Sequence, residues 1–478
     1  MGRKIAIVGA TPAGFMQLAS LVFNRGQYDA WKDDEFTLIH DPDKVYPVMM
    51  SGTVPPVFSE ISSVINLTRR WLRKYCDATD SLGYKYVGWG NRNDKNANLS
   101  FKFETAAHFD VEMFRKAMLD DGGQCFGYGV TIKEEKIDSC LINNTNAMIN
   151  GVNYDYVIDC CDKEPIYSPH DYASPAFAFT NTALIVEKPV AGDWDFTIEV
   201  AAKYGHITGI PLQSKQLWIY FYDNIDRTDT TQEVILQDFA THFPDEDVTS
   251  YKTTLINWTP KVSNYVIHPD KGSYIRNGNA LVNIEPLTAG HLYLSNIISE
   301  SINMYLYPME EGKPLGHASH HHEDLVLRGV YQEILAHVQE TYGDVLDLDY
   351  TCILALMYQY GSKYDTKFWK DAKQQAQKYL EGPRYLHPAF FPGKVWRDEV
   401  LSDKWGDKEY RKLLHSEEMA SEADVAGRSR LLPYVLMNDY NAFLEYAHGF
   451  GAPYANRFQA LDPVDPPEDH GTIGYNYY

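Results

Sequence analysis

Cysteine and positive charge are both scarce in this chain. Six cysteines (76, 125, 140, 160, 161 and 352) are spread over 478 residues with no C-x-x-C pair. That excludes a disulfide scaffold and a ribbon-type zinc site, and reads as reduced thiols in a cytoplasmic setting. Lysine and arginine number 43 against 65 aspartates and glutamates, a formal net charge of −22. An acidic surface repels phosphate at long range, which argues against a nucleic-acid or anionic-membrane partner. The one local basic run, RRWLRK at 69–74, reads as a solvated helix face. No apolar run approaches the roughly 18 residues that a membrane span needs. The opening MGRKIAIVG goes straight into a strand with no charged-then-apolar leader, so a cytoplasmic location is expected.

What is present is the composition of an ordinary globular protein, 44% hydrophobic and 23% charged, with a high aromatic share of 14% that includes 35 tyrosines. The length suits two or three domains, or one domain with a sizeable extension. Near the start, the apolar run KIAIV, the turn VGATPAGF and the amphipathic MQLASLVFNRG spell strand, glycine turn and helix. Such a turn cradles a dinucleotide's pyrophosphate at a helix N-terminus. Gly9 permits the tight turn and Gly14 the close helix–sheet packing, but the middle glycine of G-x-G-x-x-G is Thr11. Thr11 crowds the approach, although its hydroxyl has the chemistry to donate to a phosphate oxygen. FTLIHD (36–41) completes a βαβ unit, and Asp41 at its end stands where an acidic group meets the adenosine ribose.

Further on, LGYKYVGW (82–89), LSFKFE (99–104) and YDYVIDCC (154–161) read as strands, and a helix opens at Asp110. TIKEEKIDSCLINN (131–144) reads as a hairpin arm. TALIVEK, FTIEVAA and QLWIYFY suggest a second sheet, followed by a helix with Thr228 or Asp229 as its N-cap. From about 300 onward the periodicity is helical, so the expected division is residues 1–300 and a helical module at 301–478. GHASHHHEDL (316–325) gathers four histidines; from a helix only His317 with His320 or His321 would face one metal, and the run reads as a polar helix entry with no metal site.

IAIVGATPAGF, GTVPP (52–56), KYVGW (85–89), HFDVEMFRKAM (108–118) and DYVIDC (155–160) together resemble the flavin-dependent halogenases in order and approximate spacing. GIPL (209–212) resembles the end of that family's W-x-W-x-I-P-L signature. IEPLTAGHL (284–292) resembles its E-P-L-E-S-T segment, and Tyr358 with DTKFW (365–369) its C-terminal helices. The resemblance implies an α/β fold, an FAD-binding Rossmann-like flavoprotein monooxygenase fold with a second β-sheet and a C-terminal helical module. It implies FAD, supplied as FADH2 by a separate flavin reductase, with halide oxidised to hypohalous acid that reaches an electron-rich aromatic small molecule. The cofactor-binding residues implied are Gly9, Thr11, Ala13, Gly14, Asp41, Thr53, Val54, Asp159 and Pro286. A homo-oligomer is compatible with the sequence.

The departures from the family are specific. Its tunnel lysine falls on Ser81, and Lys85 matches a second basic position four residues on. Ser81 is able to hydrogen-bond hypohalous acid but not to form a haloamine. The family's catalytic glutamate falls on Thr288, leaving Glu285 and His291 as nearby bases, while backbone N–H groups around Thr288, Ala289 and Gly290 suit a halide. The two signature tryptophans are His206 and Thr208 here. With 18 residues between Trp89 and His108, fewer than the family's tryptophan-specific members carry, a more open site is expected. The competing readings are a hydroxylating flavin monooxygenase, a peroxide-forming oxidase and a flavin-binding protein without catalysis; halide dependence separates the halogenase from the other catalysts.

Overall fold

The computed structural model describes residues 2–27, 29–46, 50–53, 68–89, 99–175, 177–224, 231–285, 291–310, 313–314, 325–344 and 364–381, with scattered positions between 346 and 362. Strand β1 (Lys4–Val8) is buried along all but its first residue, as an interior parallel strand covered on both faces must be. It pairs in parallel with β2 (Glu35–His40) on one side and β10 (Tyr156–Asp159) on the other. β6 (Val130–Glu134) and β18 (Tyr274–Arg276) extend this sheet to the order β18-β10-β1-β2-β6, all parallel. Helix α1 (Pro12–Gln27) follows β1 directly. The expected βαβ unit and its return strand are therefore present.

The expected hairpin arm at 131–144 is present only in its second half, which pairs antiparallel with the next strand. Its first half is β6, an edge of the parallel sheet, and its second half is β7 (Cys140–Ile142), which forms a separate three-stranded sheet with β8 (Ala147–Ile149) and β9 (Val152–Tyr154). Pairing with β2 competes for the same backbone groups that a local hairpin would use, and the parallel sheet takes them.

The second large sheet contains β16 (Lys252–Asn257), β12 (Thr182–Lys188), β15 (Gln216–Tyr222), β14 (Gly205–Pro211), β13 (Thr197–Ala202), β4 (Thr79–Val87), β5 (Leu99–Asp110) and β3 (Met50–Thr53), in that order. β11 (Tyr172–Ala173), β17 (Lys261–Ser263) and β19 (Val282–Asn283) form a small antiparallel sheet. Helix α2 (Arg69–Tyr75) precedes β4, and α3 (Val111–Asp120) is capped by Asp110, whose carboxylate accepts from Glu112 and Met113 N–H. Helix α4 (Gln232–Thr241) is capped by Thr231. The earlier candidates Thr228 and Asp229 lie outside the described residues.

Helices α5 (His291–Leu306), α6 (Leu325–Asp344) and α7 (Lys367–Glu381) complete the described chain. Ile298, Ile302 and Tyr305 of α5 and Tyr342 of α6 share one core with Ile5, Ile7, Phe15 and Leu18. The expected division after residue 300 thus falls inside α5. Among the described residues no helix is long and apolar enough to cross a membrane. The five described cysteines are free.

Candidate functional site

The turn after β1 closes tightly. Gly9 has φ +114°, and a Cβ there would lie 2.5 Å from the Cys160 carbonyl oxygen; one on Gly14 would lie 2.0 Å from the Gly9 oxygen. Both glycines are required by backbone contact, as expected. Thr11 does something else than expected. Its Oγ1 donates to the Cys160 carbonyl at 3.2 Å and accepts the Gly14 N–H at 3.0 Å, so the hydroxyl proton is already committed and is not offered to a phosphate. It caps α1 and staples it to the end of β10. Pro12 has no N–H and that of Gly14 is capped, which leaves the amides of Thr11 and Ala13 without an intrahelical acceptor.

Arg115 of α3, buried, locks this turn from the side. Its Nε donates to the Ala10 carbonyl at 2.8 Å, Nη1 to Glu112 at 2.7 Å and Nη2 to Asp162 at 2.8 Å. Burial pushes the Asp162 carboxyl up to about 6, against the opposing charge of Arg115. Asn279 also reaches Asp162, at 3.4 Å. Its neighbour Gly278 has φ +57°, and a Cβ there would meet the Ala13 Cβ at 2.7 Å. Asn277 donates to Gln17, Ser295 and Ser299 at 2.9–3.1 Å, tying this segment to α1 and α5. Neither Arg115 nor Asn277–Gly278–Asn279 is marked by sequence reading, except by a glycine between two asparagines, the composition of a tight turn.

The two carboxylates expected to meet the cofactor are occupied by the protein. Asp41 accepts the N–H of Asp43 at 3.0 Å on one oxygen and of Ile137 at 2.9 Å on the other. Asp159 accepts from the Cys161 and Ile166 amides at 3.1 and 2.7 Å and from the Tyr274 hydroxyl at 2.7 Å. Both hold local backbone in place. His40, next to Asp41, is 6% exposed, and its Nδ1 has no hydrogen-bond partner among the described residues. This crevice fits an adenine dinucleotide: glycines that admit no side chain, a helix start with amides to spare, and a buried ring nitrogen left open.

A second cluster lies in the large mixed sheet. Cross-strand register puts Glu199 opposite Thr208 and Ala201 opposite His206, so Glu199, Thr208 and His206 share a face. The Thr208 hydroxyl donates to Glu199 at 2.7 Å, and the Thr180 hydroxyl to Glu285 at 2.8 Å. His206 sits between the two carboxylates, Nδ1 3.6 Å from Glu199 and Nε2 3.6 Å from Glu285, all three side chains at most 1% exposed. Burial alone pushes His206 down; the flanking carboxylates override it and raise it to about 8. Burial raises Glu199, with His206 and Thr208 opposing. Phe221 stacks on the His206 ring at 4.9 Å, with Trp89 at 6.1 Å and Tyr358 at 6.5 Å. Among the described residues no group of three His, Cys, Asp or Glu side chains is arranged to hold a metal ion.

This fold, from glycine turn to α7, has counterparts among solved structures. A tryptophan 6-halogenase from Streptomyces toxytricini superposes with a TM-score of 0.61 at 14% identity, covering 93% of this chain and 99% of that one. The fold is that of the flavin-dependent halogenases. A tryptophan halogenase from Shewanella frigidimarina gives 0.60 at 15% identity, over 95% and 98% of the two chains. A flavin-dependent halogenase from Brevundimonas sp. BAL3 gives 0.58 at 12% identity, over 96% and 97%. No protein-family model matches the sequence, and no curated protein matches it.

In this halogenase fold the remaining expected site residues fall as follows. Ser81 is 3% exposed, in β4 beside an irregularity: Ser81 pairs with Ala106, but Gly83 with Lys102. The same strand holds Thr79, whose Oγ1 lies 3.4 Å from Nδ1 of His108; Nε2 of that ring lies 2.8 Å from Thr197 Oγ1. Burial lowers His108 to about 3, so it is neutral at physiological pH. The backbone of Lys85 pairs with Ser100 and Ile198, and that of Thr53 with Ala107. Glu285 is fully buried and faces His206 and Thr180, not open solvent. Val54, Pro286, Thr288, Ala289, Gly290 and the histidine run at 317–322 lie outside the described residues.

Proposed function

We propose that this chain is a reduced-flavin-dependent halogenase of altered active site, an oxidoreductase that acts on an electron-rich aromatic small molecule in the cytoplasm. What carries the reading is one observation: a glycine turn locked by Arg115 at the carboxyl edge of a parallel sheet, within a fold that matches a halogenase over 93% of this chain. Gly9, Gly14 and the amides of Thr11 and Ala13 would hold the dinucleotide's phosphates, with Arg115 and Gly278 setting the shape of the turn. FADH2, delivered by a separate reductase, would supply the two electrons that reduce O2 to the peroxide level; one peroxide oxygen would then oxidise halide to hypohalous acid and the other would leave as water. Ser81, buried beside the strand irregularity, would hydrogen-bond that acid, and Lys85 is the cationic alternative. The segment 288–290 would offer amides to halide, and Glu285, backed by His206 and Glu199, would hold a proton within the protein.

The second reading, a hydroxylating monooxygenase or a flavin-binding protein without catalysis, is favoured by His206 and Thr208, which stand where the family's paired tryptophans do. A turnover assay decides between them. Protein, FAD, a generic flavin reductase, NADH, air and catalase are combined with a panel of phenols and indoles in chloride, bromide, iodide or halide-free buffer, and products are read by mass spectrometry. Halogenated product is expected, absent in Gly14→Ala, whose added Cβ would meet the Gly9 carbonyl. Hydroxylated product without halide would assign a monooxygenase, and tight FAD binding without product a non-catalytic flavoprotein.

A further inference from the structure

We propose that the charge on His206 controls how tightly the crevice holds the flavin dinucleotide, through the segment of chain that joins the two; the inference rests on the flavin reading above. That segment is residues 277–285. At one end Gly278 leaves no room for a Cβ against Ala13 of the glycine turn, and Asn279 reaches Asp162, the carboxylate that holds Arg115. Midway, Val282 and Asn283 pair with Val262 and Lys261, and Asn283 donates to the Tyr46 hydroxyl at 3.2 Å. At the other end Glu285 faces Nε2 of His206. Every residue of the segment is buried except Asn279, which is half-buried. Chain packed this closely has no slack, so a displacement at one end is felt at the other.

The groups that face the His206 ring are Glu199 from β13, Glu285, and the rings of Phe221 from β15, Trp89 and Tyr358. Thr208 and Thr180 donate to the two carboxylates. With the ring charged, two carboxylates and one imidazolium leave a single net negative charge. When the ring loses its proton, the carboxylates face each other across a neutral ring, where no solvent screens them. Glu199 is fixed in β13 between β14 and β4, whereas Glu285 lies beyond the last pair of β19. The repulsion therefore moves Glu285, and the segment with it. The added negative charge also opposes a ligand that carries a pyrophosphate. Both effects weaken flavin binding as pH rises, and by reciprocity bound flavin must hold the His206 proton more tightly. Burial lowers the ring's pKa and the two carboxylates raise it, to about 8, which sets the window.

The test titrates oxidised FAD, by flavin fluorescence, into the wild type and Glu199→Gln between about pH 7 and pH 9, with circular dichroism as the check of fold. The wild-type Kd is expected to rise roughly threefold or more across that range. In Glu199→Gln one of the two anions is gone, and the rise should begin at lower pH. NMR of the His206 ring, identified by its absence in His206→Gln, should show the wild-type ring titrating at higher pH with FAD bound than without. A wild-type Kd that does not change with pH would overturn the coupling and leave the flavin reading intact. So would a rise at the same pH in Glu199→Gln, or a His206 titration that FAD does not move. Should a variant fail to fold, the wild-type Kd still decides, because the absence of a rise overturns the coupling. A folded wild type that binds no FAD at any pH would instead overturn the flavin reading, and the coupling with it.

Discussion

A single imidazole held between two buried carboxylates is costly to break, because each charge depends on the others for compensation. Glu199, His206 and Glu285 are almost wholly out of solvent, and removing the cation would leave two carboxylates facing an empty place. His206→Leu should therefore destabilise the fold by about 3–5 kcal/mol at neutral pH, measured by urea denaturation. The pH dependence has a definite sign. The folded pKa of His206, about 8, lies above its ordinary 6.5, so its contribution is fully present below pH 6.5 and is lost as pH rises through 8. Wild-type stability should fall across that window. In the double variant Glu199→Gln/Glu285→Gln the anions are gone, burial keeps the ring neutral, and the fall should vanish. A wild-type stability that is flat from pH 6.5 to 8 would reject the assignment of charge to His206.

At the scale of the element, the start of α1 rests on one hydroxyl. Thr11 caps Gly14 and bonds Cys160, so the residue that breaks the glycine pattern also fastens the helix to β10. Thr11→Ala should lower stability by about 1 kcal/mol, the usual worth of an N-cap, and Thr11→Ser should keep most of it. Equal stability of the two variants would show that the hydroxyl does not cap. The same strand–turn–helix was legible from periodicity and two glycines, because the signals that specify its local path lie within one short window. The fate of residues 131–144 was legible only for Cys140–Ile142, a hairpin arm, and not for the segment before it. The choice between a hairpin and the edge of a parallel sheet depends on β2, which lies far along the chain.

Across the whole molecule, aromatic side chains join the C-terminal helix to the mixed sheet. Trp369 of α7 donates its indole N–H to the Ala202 carbonyl at 2.8 Å, and Trp89 donates to the backbone carbonyl of Glu199 at 3.1 Å. The two rings meet edge to face at 5.7 Å, with Tyr358 packed against both. Trp369→Ala should cost about 3–5 kcal/mol and free the amides of α7 to exchange hydrogen faster than those of β1. If α7 exchange were unchanged, the helix would not depend on this anchor. The abundance of tyrosine seen in composition thus has a structural use: Tyr358, Tyr305, Tyr342 and Tyr274 are all fully buried core members.

By itself the sequence determined what short-range physics decides: an acidic chain of reduced cysteines, the strand–glycine–helix start, the apolar strands of the second sheet and the amphipathic helix at 367–381. The co-occurrence of several family-like segments in order, from IAIVGATPAGF to DTKFW, was enough to expect the α/β flavoprotein fold. Only the tertiary structure decided which polar groups are spent and which are left. Asp41 and Asp159 stand where ligands bind, yet Ile137, Ile166 and Tyr274 take their oxygens, and these partners come from other elements. His206 looked like the loss of a tryptophan until Glu199 from the neighbouring strand and Glu285 from the segment after β19 were seen on either side of it. A hydrogen bond is chosen by proximity in space, and proximity between distant segments is a property of the packed sheets rather than of any window of sequence.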